Sequence, residues 1–162
     1  MISIERAKES DAGVIRDLAL ATWYPTYSPV LDKEQIDFML AQSYSIAALQ
    51  QGMRDGAEFY LFLEDGIAQG FMSLSIHSEK IRIDKLYLLP ATQGRGFGAM
   101  LIDYAAEEAK KHDLLILELN VNRNNKAYQF YLKQGFEVVE TVDIPYYQFV
   151  LNDYVMQKSL IS

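Results

Sequence analysis

The chain of 162 residues has no cysteine, two histidines and fewer basic than acidic side chains, and each shortage excludes a kind of chemistry. Without cysteine there is no thiol nucleophile, no disulfide framework and no thiolate set for zinc or an iron–sulfur cluster. His77 and His112 stand apart with no third ligand nearby, which argues against a metal enzyme. Fifteen lysines and arginines against 22 aspartates and glutamates leave a formal charge of −7, so there is no general basic field to hold nucleic acid. The apolar runs fall far short of the roughly 18 residues of a membrane span, and Met1–Ile4 leads straight into Glu5–Arg6 rather than into a secretory leader. These exclusions predict a cytoplasmic protein with no membrane and no nucleic-acid partner.

Half of the residues are apolar, enough for one sizeable core, and no repeat or linker divides the chain, so residues 1–162 read as a single domain. Ile2 and Ile4 alternate with polar neighbours as a short strand. Ser10–Asp11 opens a helix with Val14, Ile15, Leu18 and Ala19 on one stripe, expected to end before Pro25. Asp32 caps a second helix, and a third is expected around Ser45–Met53. From Glu58 the period changes to two. Phe59–Leu63 and Ile67–His77 flank an Asp65–Gly66 hairpin turn, and Lys80–Leu89 follows. A helix from about Gly96 to His112, a strand Leu114–Val121, a helix Asn125–Gln134 stopped by Gly135, and strands Phe136–Val142 and Tyr147–Ser159 complete the order. Such an order suits a mixed α/β sheet with helices on both faces.

The most informative segment is Leu86-Tyr-Leu-Leu-Pro-Ala-Thr-Gln-Gly-Arg-Gly-Phe-Gly98. Three glycines at alternate positions lead from a strand into a long amphipathic helix. Glycine lets backbone approach a ligand closely, and the unpaired N–H groups of a helix start bind phosphate. Arg95 adds a local cation. A Walker loop fails, because Ala99–Met100 stands where Lys-Ser/Thr is required. The spacing G-x-G-x-G also departs from the dinucleotide fingerprint. On these residues alone the segment is either a phosphate cradle or an empty, glycine-softened helix entry.

Gln93-Gly-Arg-Gly-Phe-Gly98 resembles the Q/R-x-x-G-x-G/A signature of the GNAT acyltransferases, with Gln93, Gly96 and Gly98 in the signature places. Asn124, Ala127, Tyr131, Gly135 and Phe136 resemble that family's N-x-x-A-x-x-x-Y-x-x-x-G-F segment, and Asp153-Tyr-Val-Met-Gln-Lys158 resembles its final strand. The element order agrees along essentially the whole chain. The resemblance implies the GNAT acyl-CoA N-acyltransferase fold, a mostly antiparallel twisted sheet of about seven strands. It implies acetyl-CoA as co-substrate, an amine acceptor, and direct transfer with no metal. The cofactor would lie where Lys80–Leu89 and Leu114–Val121, parallel neighbours, splay apart. Leu86, Tyr87 and Leu88 would line its pantetheine arm, with the backbone of Leu86 and Leu88 pairing like a partial strand. Gln93, Gly94, Arg95, Gly96, Phe97, Gly98 and Ala99 would hold the pyrophosphate, and Asn124 and Tyr131 would touch the cofactor from the next helix. Tyr131 would be the general acid for the departing thiolate; on spacing alone it is equally a core tyrosine, sharing a stripe with Ala127 and Phe130.

The base matches the family less well. Asp84, by strict alternation on the face of Leu86 and Leu88 but equally readable as a solvent-facing charge paired with Arg82 or Lys85, or a base-linked water, is placed ahead of Glu118, which is off the family register. Trp23, Tyr24, Tyr27, His77 and Tyr146 are the candidate acceptor-site residues. Acids such as Asp32, Glu34 and Asp143 beside the aromatics would suit a cationic amine, polyamine-like or other, or a peptide N-terminus. A second reading is a module that binds acyl-CoA without transferring anything. An exposed final strand leaves a homodimer open.

Overall fold

The computed structural model describes residues 1–161. Seven strands form one sheet: β1 (Ile2–Arg6), β2 (Glu58–Glu64), β3 (Ile67–Ile76), β4 (Ile81–Leu88), β5 (Ile116–Asn122), β6 (Glu137–Tyr146) and β7 (Phe149–Ser159). Their order is β1-β2-β3-β4-β5-β7-β6, and β4–β5 is the one parallel pair. Helices α1 (Ala12–Tyr27), α2 (Lys33–Ser43) and α3 (Ile46–Arg54) cover one face, and α4 (Phe97–Lys111) and α5 (Ala127–Lys133) the other.

Two apolar clusters follow from this layering. Ile15, Leu18, Trp23, Ile36 and Leu49 of the first three helices pack with Phe59, Leu61 and Phe71. Leu101, Ile102, Ala105 and Tyr131 of the last two pack with Phe62, Met72, Ile83, Leu117 and Leu119. Alternation in β2 and β3 sends successive side chains to opposite clusters, as a sheet buried on both faces requires. Among the described residues no helix is long and apolar enough to cross a membrane.

Three expectations are overturned. Helix α1 runs through Pro25 to Tyr27. The carbonyl that Pro25 leaves without an N–H belongs to exposed Ala21, where water can satisfy it, and the ladder resumes with Ser28 N–H donating to Tyr24 O at 2.9 Å. The last hairpin turns at Tyr147 (φ 54°), so β6 extends to Tyr146 and carries Pro145, which an edge strand tolerates. The final strand is not exposed: β7 pairs with β5 on one side and β6 on the other, leaving β1 and β6 as the edges. The strand order therefore removes the exposed final strand on which a homodimer was expected.

Candidate functional site

The parallel pairing of β4 and β5 is brief. It comprises Ile81 with Leu117 and Arg82 with Glu118, after which the strands part. A cluster of charge marks the last rung. Buried Glu118 accepts from Arg82, from Lys80 at 3.0 Å and from Gln157 at 2.8 Å. Burial alone would raise its pKa, but these three donors outweigh burial and hold the carboxyl below its usual range. Glu118 thus has the character of a structural anion.

Beyond this rung the gap opens into a cavity of about 820 Å³ that passes between the strands. Toward α4 and α5 it is lined by Gln93, Gly94, Gly96, Gly98, Asn124 and Tyr131; toward α1 and α2 by Trp23, Tyr27, Met39, Tyr44, Lys85 and Asp153. The glycine loop has a physical reason for its composition. Gly94 and Gly96 hold φ of 78° and 83°, left-handed values that a Cβ penalises. Gly96 caps α4, so the N–H groups of Phe97, Gly98 and Ala99 have no intrahelical acceptor. A Cβ on Gly98 would meet Phe130 at 2.9 Å, so this glycine lets α4 pack close to α5. Gln93 donates to Leu88 O at 3.1 Å, tying the loop to the end of β4.

A bulge shapes β4. Ser73 faces Lys85 while Leu74 faces Ile83, which leaves Asp84 as the extra residue. Ile81, Ile83, Leu86 and Leu88 consequently stay on the α4–α5 face, whereas Lys85 and Tyr87 turn to the α1–α3 face. Asp84 does not share a face with Leu86 and Leu88, as alternation predicts; it is exposed at the cavity rim, 3.7 Å from Arg82 Nε.

Tyr131 is buried, lines the cavity and makes no side-chain hydrogen bond among the described residues. Burial pushes its pKa well up, and Tyr27, reaching it across the gap, adds to the rise. Tyr27 shares a 2.7 Å hydroxyl–hydroxyl hydrogen bond with Tyr87, and burial pushes Tyr27 up to about 12.

Several expected residues lie elsewhere. Arg95 does not line the cavity: its guanidinium grips Glu64 at 3.0 and 2.6 Å and stacks over Phe97 at 4.5 Å. Ala99 contributes a helix-start N–H without lining the cavity. Tyr24 donates to Asp37, outside the cavity. His77 is exposed, 3.1 Å from Ser75 Oγ. Tyr146 packs edge-on against Phe38 and Tyr147. The acids Asp32, Glu34 and Asp143 line no part of the cavity, and Asp143 is paired with Arg123 at 2.7 Å.

Asp153 and Lys85 are cavity residues that sequence reasoning misses. Asp153 accepts from Asn120 Nδ2 at 3.3 Å, while Arg82 donates to Asn120 Oδ1 at 2.6 Å. Burial raises the Asp153 pKa despite the opposing pull of Asn120, Arg123 and Arg82. Lys85 is the other, its facing set by the bulge. The tail motif around Asp153 was a signal for the first; alternation with Leu86 and Leu88 faces the second correctly but does not reveal that it enters the cavity.

These features match what comparison with known proteins finds. Residues 27–144 match the family model described as an acetyltransferase (GNAT) domain. Spermidine N(1)-acetyltransferase of Thermoplasma acidophilum is 28% identical over 167 residues, 99% of each chain. The PaiA N-acetyltransferase of the same organism, crystallised in complex with coenzyme A, superimposes with a TM-score of 0.86 at 27% identity, covering 98% of this chain and 99% of that one. Aminoalkylphosphonate N-acetyltransferase of Salmonella typhimurium is 30% identical over 103 residues, 54% of this chain and 67% of that one. A chain with this sheet, this split and this glycine loop belongs to the GNAT family and is an N-acetyltransferase.

Proposed function

We propose that this N-acetyltransferase moves the acetyl group of acetyl-CoA directly to the neutral primary amine of a small molecule or peptide. The observation that carries this reading is the single cavity that joins the glycine loop, through the β4–β5 gap and past Tyr131, to an aromatic chamber on the opposite face. One opening is built for phosphates, the other for a second substrate.

The helix-start N–H groups of Gly96 to Ala99 hold the pyrophosphate, aided by the α4 dipole. The β5-facing edge of β4 beyond Arg82 has no strand partner, so the backbone of Leu86 and Leu88 receives the pantetheine arm. Tyr87 and Phe97 flank that path, and Asn124 meets the cofactor from the turn before α5. The amine nitrogen attacks the thioester carbonyl carbon; the C–N bond forms, the C–S bond breaks, and Tyr131 donates its proton to the departing thiolate. The Leu88 amide polarises the carbonyl oxygen.

Two carboxylates line the cavity, and Asp153 is assigned to take the proton the amine loses. Asp84 is held by Arg82 at the rim, whereas Asp153 stands by Tyr27 with a raised pKa. Asp153→Asn should lower kcat/KM at neutral pH by tenfold or more, and Asp84→Asn by less than threefold; the reverse order returns the role to Asp84. The same variant reports on stability. A carboxyl whose pKa is higher folded than unfolded stabilises the fold only when protonated, a contribution lost as pH rises through its folded pKa. Asp153→Asn should therefore melt higher than wild type at pH 7, with the gain disappearing below the ordinary aspartate pKa of about 3.8.

Substitution of Gly96 by alanine strains a φ of 83° by about 1–2 kcal/mol. Urea unfolding should show a stability loss of that size, since the strain is present with or without cofactor. The overall reading is tested by melting temperature and thiol release. Acetyl-CoA should raise the melting temperature where ATP and NAD do not, and an amine panel including polyamines, amino acids and peptides should release free CoA. No stabilisation at millimolar acetyl-CoA overturns it.

A further inference from the structure

We propose that the acceptor amine is a zwitterion, carrying a carboxylate or phosphonate, and that Lys85 is the residue that holds this anionic group. The proposal rests on the direct-transfer reading above and narrows its acceptor.

The bulge at Asp84 turns Lys85 onto the α1–α3 face, where it lines the chamber. Its ammonium lies 5.5 Å from the ring of Tyr44 and 5.8 Å from that of Phe59, both almost completely buried. It has no ion pair and no hydrogen bond among the described residues. Four nearby cations are engaged: Lys80 and Arg82 with Glu118, Arg123 with Asp143, Arg95 with Glu64; the other cavity lysine, Lys126, stands at the start of α5 on the glycine-loop side of the gap. The nearest carboxylate in sequence, Asp84, is drawn toward Arg82 instead. Burial holds the Lys85 pKa below its ordinary value, and Asp84 only partly offsets this. A lysine serving only to pack its stem would carry its head to open water. Here the head sits over two aromatic faces inside the substrate cavity.

A second donor on the same wall is poorly satisfied. Trp23 Nε1 is buried and forms no well-aligned hydrogen bond, approaching only the Tyr44 hydroxyl. The Trp23 ring touches Tyr44 at 5.5 Å and Tyr87 at 5.8 Å, centroid to centroid. A buried donor without a partner is costly, and an ammonium half out of water more so. Both costs are relieved by a ligand that brings acceptor oxygens and negative charge. Asp153, on β7 beyond the β4–β5 gap, is offered to the amine. A polycation would instead press a second ammonium against Lys85, a repulsion that the secluded setting strengthens. Opposite charges on the two sides of the β4–β5 gap fit an amine on one side and an anion on the other.

The test uses matched acceptors of equal length on the full chain: 4-aminobutanoate, 3-aminopropylphosphonate, butylamine and 1,4-diaminobutane. Binding to the CoA-loaded protein is measured by calorimetry, and turnover by thiol release. The two anionic arms should exceed butylamine and the diamine in kcat/KM by tenfold or more, and their relative rates show which anion is preferred. In Lys85→Met, which keeps the stem on its rings, that ratio should fall at least tenfold through KM rather than kcat. Lys85→Glu should reverse it in favour of the diamine. If wild type prefers the diamine, or if Lys85→Met leaves the ratio unchanged, the subsite is wrong while transfer stands. If the anionic amines bind in a Lys85-dependent way but no amine is acetylated, the subsite stands and the transfer reading fails.

Discussion

Tyr131→Phe is expected to lower kcat about a hundredfold or more while changing acetyl-CoA affinity less than about twofold. The substitution keeps the ring and its edge contacts with Phe130 and Phe136, at 5.3 and 5.7 Å, so it removes one oxygen from an otherwise intact core. A general acid contributes about 10²–10⁴ in rate, and this hydroxyl has no structural hydrogen bond to confuse its loss. Burial and the nearby Tyr27 raise its pKa above that of an ordinary phenol, so it stays protonated throughout the working range. The wild-type kcat should consequently show no alkaline decline from loss of this acid up to about pH 10, the ordinary tyrosine value. Steady-state kinetics of the variant between pH 6 and 10 check both statements. Wild-type turnover in the variant would return Tyr131 to the core.

Glu118→Gln is expected to cost about 3 kcal/mol at pH 7, the low end for removing one member of a buried ion pair, because Arg82 and Lys80 retain some solvent. Glutamine keeps the shape but leaves two cations facing each other at the last rung of the β4–β5 pair. The pH dependence has a defined sign. Gln157, Lys80 and Arg82 overcome burial and hold the Glu118 carboxyl below its unfolded value of 4.5, so its contribution is present above that pH and lost as pH falls through the folded pKa. Urea unfolding at pH 7 and near pH 3.5 should show the gap between wild type and variant shrinking on acidification. Because Arg82 also orients Asn120, and Asn120 meets Asp153, the variant should lose turnover as well as stability. A difference below about 0.5 kcal/mol, unchanged with pH, would show that the charge cluster does not hold the rung.

The sheet and its helices were legible from residue patterns because burial on two faces imposes period two on strands and near 3.6 on helices. The glycine loop was legible because left-handed backbone and close helix packing leave little choice at Gly94, Gly96 and Gly98. Facing beyond the bulge was not: one inserted residue in β4 moves Asp84 away from Leu86 and Leu88 and brings Lys85 inward, and no local pattern announces it. Partner choice was equally hidden. Arg95 sits in the phosphate motif yet bonds Glu64, 31 positions earlier in sequence, a contact created only when β2 and the loop meet. The acids expected beside the acceptor, Asp32, Glu34 and Asp143, lie outside the cavity. The carboxylate assigned as base, Asp153, comes from a strand whose place between β5 and β6 depends on the whole topology.

The most direct measurement is the change in backbone amide resonances of the 18.5 kDa protein as acetyl-CoA is added. The amides of Gly94 and of Gly96 to Ala99 should move most, with Leu86, Leu88 and Asn124 following. Shifts at the exposed β1–β2 edge should be absent. Largest shifts away from the glycine loop and the β4–β5 gap, or none at saturating cofactor, would contradict the account.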